Sequence, residues 1–300
     1  MLRIGLVGFG KWGRNYIRAV ESTNLGRVTA LFLRPESPAW SDPLTNAFQK
    51  LSHIDDFDVD CVIVASHPAN APELCEKLIE QGLPVLIEKP AALSLLEAER
   101  IHAAATKKNA LILIAHQHLF SHAFTEIKKR VVHAAIESIH TFAGNTGPYR
   151  DYSALWDYGP HDIAMILSLT NDMPEVVSCK RQVYELGESY QIQLNFRSGV
   201  FSRSEIWNHQ PPKARKLIVR AAGEVIEYDD TKPETKLSIN GVKLPIANEQ
   251  PLTIEVREFL KAVGQGGTED ERFGSHWATR VSKILEMATD SFLSSEKSAF

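Results

Sequence analysis

Three side chains in this 300-residue chain are of the right types to move a proton at a substrate oxygen. Lys89 stands in Glu88-Lys89-Pro90, directly after the apolar run PVLI. Asp157 and His161 stand four apart in DYGPHD, a spacing that puts both on one face of a helix. An ammonium stabilises a developing alkoxide and lowers a neighbouring histidine's pKa by like-charge repulsion. An imidazole titrates near neutrality and can take or return a proton. A carboxylate orients either partner or binds a hydroxyl. The set suits interconversion of an alcohol and a ketone, except that none of these side chains accepts a hydride, which is the task of a nicotinamide.

Gly8, Gly10 and Gly13 answer that need. They follow an apolar run, Ile4 to Val7, and precede a helix-period stretch carrying Ile17 and Val20. In G-x-G-x-x-G, the first glycine permits the turn, the second lets backbone approach a pyrophosphate, and the third lets helix and strand pack closely. The helix N-terminus adds free N–H groups and a positive dipole end. The expected cofactor contacts are Gly8, Phe9, Gly10, Lys11, Trp12 and Gly13, with Arg34, Ser66, Glu88 and Lys89 at the ends of later strands. An acid usually follows the second strand to hold a ribose 2′-OH. Here the residues are Leu33, Arg34 and Pro35, with no acid before Glu36. A guanidinium there can pair with a 2′-phosphate, so NADP is expected over NAD.

Blander roles compete at each position. Lys89 alone would read as a solvated strand-end lysine, Asp157 as a helix N-cap, and Asp162 as a cap or a substrate contact. His116, His118 and His122 resemble a metal cluster, but no carboxylate or cysteine completes it. No metal is expected, and His116 and His118 are taken as substrate contacts.

The first 118 residues alternate buried strands (VTALFL, CVIVAS, PVLIEKP, ALILIAH) with helical stretches, including a short helix around 44–51 and a capping box at Ser94 and Glu97. Continuous apolar strands separated by helices imply a parallel sheet covered on both faces. Residues 119–300 open with one helix and turn strand-rich, with alternating segments such as YQIQLNF, and close with helices over 253–263 and 276–292. The fold class is a doubly wound α/β Rossmann domain, 1–118, followed by an α+β domain, 119–300, with an open, mainly antiparallel sheet. Pro160 is expected in the first turn of the helix that carries Asp157 and His161, and 265–272 reads as an exposed loop.

A net charge of −4 implies no polyanion partner. No apolar run is long enough to span a membrane, and no cleavable leader pattern is present. Cys61, Cys75 and Cys179 are scattered, so neither a disulfide framework nor a zinc cluster is expected. A cytoplasmic protein is expected. The alternating strands suggest an apolar outer face, and with it a homodimer or higher homo-oligomer.

GFGKWG, EKP some eighty residues later and D-x-x-x-H beyond it together resemble the Gfo/Idh/MocA oxidoreductases, the family of glucose–fructose oxidoreductase and inositol dehydrogenase. The resemblance covers nearly the whole chain. It implies NAD(P) on the first domain, a sheet that often mediates dimerisation, and a sugar, polyol or nucleotide-sugar substrate held between domains. It makes Lys89, Asp157 and His161 the catalytic set. Two departures stand out: Ala71 replaces a common histidine, and AHQHLF only partly matches a glycine-histidine-threonine-phenylalanine stretch of some nucleotide-sugar members. A non-catalytic sensor of the same fold, or a reductase of an imine or ring double bond, remains as an alternative.

Overall fold

Strands and helices alternate from the N-terminus: β1 (Leu2–Val7), α1 (Lys11–Thr23), β2 (Gly26–Phe32), β3 (Gln49–Leu51), β4 (Cys61–Val64), α2 (Ala71–Glu80), β5 (Val85–Glu88), α3 (Leu95–Lys108) and β6 (Ile112–Ala115). The computed structural model of the chain describes residues 1–267, 272 and 274–297, so 268–271 of the loop expected over 265–272 lie outside the described residues. The strands form one parallel sheet in the order β3-β2-β1-β4-β5-β6. The order reverses between β1 and β4, and ligands of such sheets bind at the carboxyl edge there. Ile4, Leu6, Ile63, Leu86 and Leu113 have no solvent exposure. Burying each such side chain is worth roughly 1.5–3 kcal/mol, which accounts for the near-continuous apolar strands. At α3, Ser94 Oγ accepts from Glu97 N while Glu97 Oε2 accepts from Leu93 N.

The helix expected around 44–51 is replaced by a 3₁₀ turn, Pro43–Ala47, and by β3. Asp42 caps the turn through Leu44 N, and Gln49, Lys50 and Leu51 then pair with Ala30, Leu31 and Phe32. Edge pairing on β2 gives these three residues a ladder that a short isolated helix lacks.

The second half contains α4 (His122–Val131), β7 (Ile136–Thr146), α5 (Ala154–Thr170), β8 (Val176–Val183), β9 (Glu188–Asn195), β10 (Phe201–Trp207), β11 (His209–Ala221), β12 (Glu224–Asp229), β13 (Leu237–Ile239), β14 (Val242–Leu244), α6 (Pro251–Gly264) and α7 (His276–Lys297). Eight strands form a sheet ordered β14-β13-β12-β11-β7-β10-β9-β8, antiparallel except for the β7–β10 pair. One face carries α5, which packs on β7, β9 and β10. The alternation of YQIQLNF resolves accordingly. Tyr190, Ile192 and Leu194 are buried, and Gln191 and Gln193 are half-buried on the other face. The apolar part of that other face comes from Phe142, Phe201, Trp207 and Ile218 instead.

The chain divides into two compact units, 1–117 with 250–279 and 118–249 with 280–300. A single break near residue 118 was expected. α6 instead rejoins the first unit, where it packs against α1, and its Ile254, Val256, Phe259 and Leu260 are buried. The sequence predicts a helix over 253–263 but does not name its partner.

Candidate functional site

The glycine turn builds a cradle in the first unit. Gly8 has φ +92°, and a Cβ on it would sit 2.6 Å from the Ala65 carbonyl oxygen. A Cβ on Gly13 would collide with the carbonyl oxygen of Gly8, so the third glycine serves the turn itself. Gly10 is different: a Cβ there meets nothing within 4 Å. Its missing side chain leaves open space rather than relieving a packed contact. Gly10 is also the N-cap of α1, with no side-chain cap, so the first N–H groups of the helix are not claimed by a capping side chain. Beside it lies a cavity of about 540 Å³ lined by Gly8, Phe9, Gly10, Arg34 and Ser66, together with Arg14. Lys11 and Trp12 begin α1 without lining it. Arg14 lies 4.7 Å over the Phe9 ring and 2.6 Å from Asp42.

Arg34 lies two residues past β2, two-thirds exposed and 3.3 Å from Glu36. Its carbonyl accepts from Ser37 N and from Trp40 Nε1, which ties down the backbone and leaves the guanidinium at the cavity rim. Open space at Gly10, an uncapped helix start and two guanidiniums on the lining are the donor set a dinucleotide phosphate requires.

Glu88 closes β5 beside Ala115 of β6. Its Oε2 accepts from Tyr16 Oη of α1 at 2.5 Å, a partner not foreseen from sequence. Lys89 follows at the carboxyl edge of the sheet, half-buried. His116, one residue past β6, is 2% exposed with Trp277 at its ring edge, 6.0 Å between centroids.

In the second unit, Ser153 caps α5 by accepting from Trp156 N, and Glu188 Oε1 accepts from Ala154 N. Asp157 therefore lies inside the helix rather than at its cap. Its carboxylate lies 3.7 Å from Arg150 Nε. Pro160 lies in the second turn, not the first. Lacking an N–H, it leaves the Trp156 carbonyl without its i+4 partner. His161 is 3% exposed, and its ring meets that of His118 edge to face, 4.8 Å between centroids at 89°. His118 Nδ1 shares a 3.1 Å hydrogen bond with Tyr228 Oη. Tyr228 lay in an alternating strand and gave no sequence signal of a role. Burial pushes its phenol well above the usual range.

Asp162, the next residue of α5, is buried as well. Burial pushes its carboxyl up to about 6, against the opposing pull of the Arg215 guanidinium. Thr141 Oγ1 donates to Ser204 Oγ at 2.8 Å in the sheet below. Among the described residues, no group of three or more His, Cys, Asp or Glu side chains could hold a metal ion. None of the helices, over the same residues, is long and apolar enough to cross a membrane.

A family model described as an oxidoreductase family with an NAD-binding Rossmann fold matches residues 2–116. The crystal structure of a protein from Magnetospirillum magnetotacticum MS-1, described as an oxidoreductase, is 29% identical. It superposes with a TM-score of 0.84 over 96% of this chain and 99% of its own. The scyllo-inositol 2-dehydrogenase (NADP(+)) of Bacillus subtilis (strain 168) is 23% identical over 65% of this chain and 60% of its own length. UDP-N-acetylglucosamine 3-dehydrogenase of Acidithiobacillus ferrooxidans is 17% identical with a TM-score of 0.86, covering 97% of this chain and 99% of its own, a likeness of fold alone. Taken with the glycine turn and the β3-β2-β1-β4-β5-β6 sheet, the match over residues 2–116 identifies that stretch as the NAD-binding Rossmann domain of the Gfo/Idh/MocA oxidoreductases.

Proposed function

We propose that the protein is an NAD(P)-dependent dehydrogenase or reductase acting on a carbinol or ketone of a sugar, polyol or nucleotide sugar. The observation that carries this reading is the buried array His161–His118–Tyr228, an imidazole held at right angles to a second imidazole that is itself anchored by a phenol. A bound nicotinamide supplies the hydride acceptor or donor. The turn at Gly8 and Gly10 and the first N–H groups of α1 hold its pyrophosphate, and Arg34 takes a 2′-phosphate, which favours NADP. Lys89 stabilises negative charge on the substrate oxygen. His161 takes the hydroxyl proton in oxidation and returns it in reduction. Asp157, tied to Arg150, binds a substrate hydroxyl or steadies the histidine. The relative named for scyllo-inositol supports the polyol class.

A screen of polyols, sugars and nucleotide sugars with NADP and NAD tests this. One class is expected to support cofactor reduction, with turnover lost in Lys89→Met and cofactor affinity kept within a few-fold. Cofactor binding without turnover on any class would favour a sensor instead.

The face of the eight-stranded sheet away from α5 suits a second copy of the chain. Phe142, Trp207 and Ile218 border a groove of about 1,090 Å³ there, beside Gln191 and Lys216. Sedimentation at micromolar concentration is expected to give about twice the 33.5 kDa chain mass, and a monomer mass would exclude the dimer.

A further inference from the structure

Glu255 of α6 has no solvent exposure, and neither of its carboxyl oxygens has a hydrogen-bond partner. Two packings decide what surrounds it. α6 lies against α1, and Tyr16 of α1 donates to Glu88 at the end of β5. Two acids and a phenol thus share one interior behind the Glu88-Lys89-Pro90 turn. Glu88 and Tyr16 are the titratable groups coupled to Glu255. Burial, and after it the charge of Glu88, holds the Glu255 proton on, and burial followed by the two acids does the same for Tyr16.

An ionised carboxylate with no partner in such a place is expensive, so the group stays neutral instead. A neutral carboxylic acid leaves Glu88 as the one negative charge that the Tyr16 hydroxyl serves. Lys89 follows Glu88 directly, at the bend past the end of β5, so one peptide bond joins the two positions. Whatever holds Glu88 among the helices therefore sets where Lys89 projects.

We propose that Glu255 is a positioning residue: as a neutral acid it leaves the Tyr16–Glu88 hydrogen bond unopposed and so fixes the turn from which Lys89 acts. This deepens the role given to Lys89 above and rests on it. When Glu255 loses its proton to solvent, two like charges share the interior, the Tyr16–Glu88 bond is displaced, and Lys89 moves with Glu88. The segment that rejoins the first unit thereby contributes to the site as well as to the core.

The test compares wild type with Glu255→Gln and Glu255→Leu, without substrate. The first measurement is thermal denaturation from pH 5 to 10. A carboxyl whose folded pKa is raised loses stability as pH rises from its unfolded value through its folded one, and glutamine cannot. The midpoint of Glu255→Gln is therefore expected to gain on wild type as pH rises. A constant difference would overturn the proposal. The second measurement is the rate at which an amine-directed acylating reagent labels Lys89, read by peptide mass spectrometry. Both replacements are neutral, so both are expected to keep the wild-type rate at neutral pH, whereas wild type is expected to depart from both as pH rises toward 10 and Glu255 ionises. A wild-type rate that follows both variants up to pH 10 would mean that Glu255 only fills space. If Glu255→Leu fails to fold, the melting curves of Glu255→Gln still decide. Labelling does not depend on turnover, so failure of this proposal is distinct from full activity in Lys89→Met, which would instead remove the catalytic reading of Lys89.

Discussion

The rings of His118 and His161 meet edge to face at 4.8 Å, and His118 is anchored in turn by Tyr228 at 3.1 Å. One histidine precedes α4 and the other lies inside α5, so the contact depends on how these elements pack. His161→Ala is expected to lower kcat by roughly 10²–10⁴, the span for a general acid–base residue. His118→Phe keeps the ring edge and loses the bond to Tyr228, and is expected to lower kcat by about tenfold with KM little changed. Steady-state kinetics on the substrate found by the screen decide both. Wild-type turnover in His161→Ala would remove the histidine from the chemistry.

Gly10 opens onto the cavity with nothing within 4 Å of a Cβ. Gly10→Val is therefore expected to fold with the melting temperature of wild type and to lose cofactor binding, because its side chain takes the space of the phosphates. Titration of the variant with reduced cofactor, followed by fluorescence, checks this. Unchanged affinity would place the dinucleotide elsewhere.

Arg34 pairs with Glu36 at 3.3 Å, both two-thirds exposed, an ion pair worth at most about 1 kcal/mol. Glu36 thus offers weak competition for a 2′-phosphate. One charge-assisted contact is worth about 1.5–3 kcal/mol, so NADP is expected to bind roughly tenfold to a hundredfold more tightly than NAD. Arg34→Glu is expected to reverse the order. Equal affinities in the wild type, measured by calorimetry, would refute the assignment.

Asp162 carries a proton in the fold up to about pH 6, whereas an unfolded aspartate releases it near 3.9. The native state binds the extra proton between these values. Its stability contribution is complete below about pH 4 and is lost as pH rises through 6, roughly 3 kcal/mol in all. Asp162→Asn cannot lose a proton, so its unfolding free energy is expected to gain on wild type between pH 4 and 7 and then run parallel. Denaturant titrations at several pH values test this, and a pH-independent difference would show that Asp162 does not titrate in the fold.

Much of the first unit was legible in the chain. Gly8 and Gly13 are constrained by the turn itself: Gly8 has φ +92°, a Cβ on Gly13 would meet the Gly8 carbonyl oxygen, and the turn lies within a few residues of the strand it ends. Periodicity marked β1, β4, β5 and β6 because strands covered on both faces must be apolar throughout. Ser94 and Glu97 predicted their own helix start for the same local reason. Type and spacing single out Lys89, Asp157 and His161 as candidates but do not show the Arg150 partner of Asp157. The tertiary structure alone decided what touches what. The return of α6 to α1, the burial of Glu255 beside Tyr16 and Glu88, the burial of Asp162 while His161 meets His118, and the pairing of residues 49–51 with β2 all depend on contacts between distant segments. An amphipathic pattern specifies that a face is buried, but it carries no record of the partner, because many apolar surfaces satisfy the same hydrophobic demand and only the assembled packing selects one.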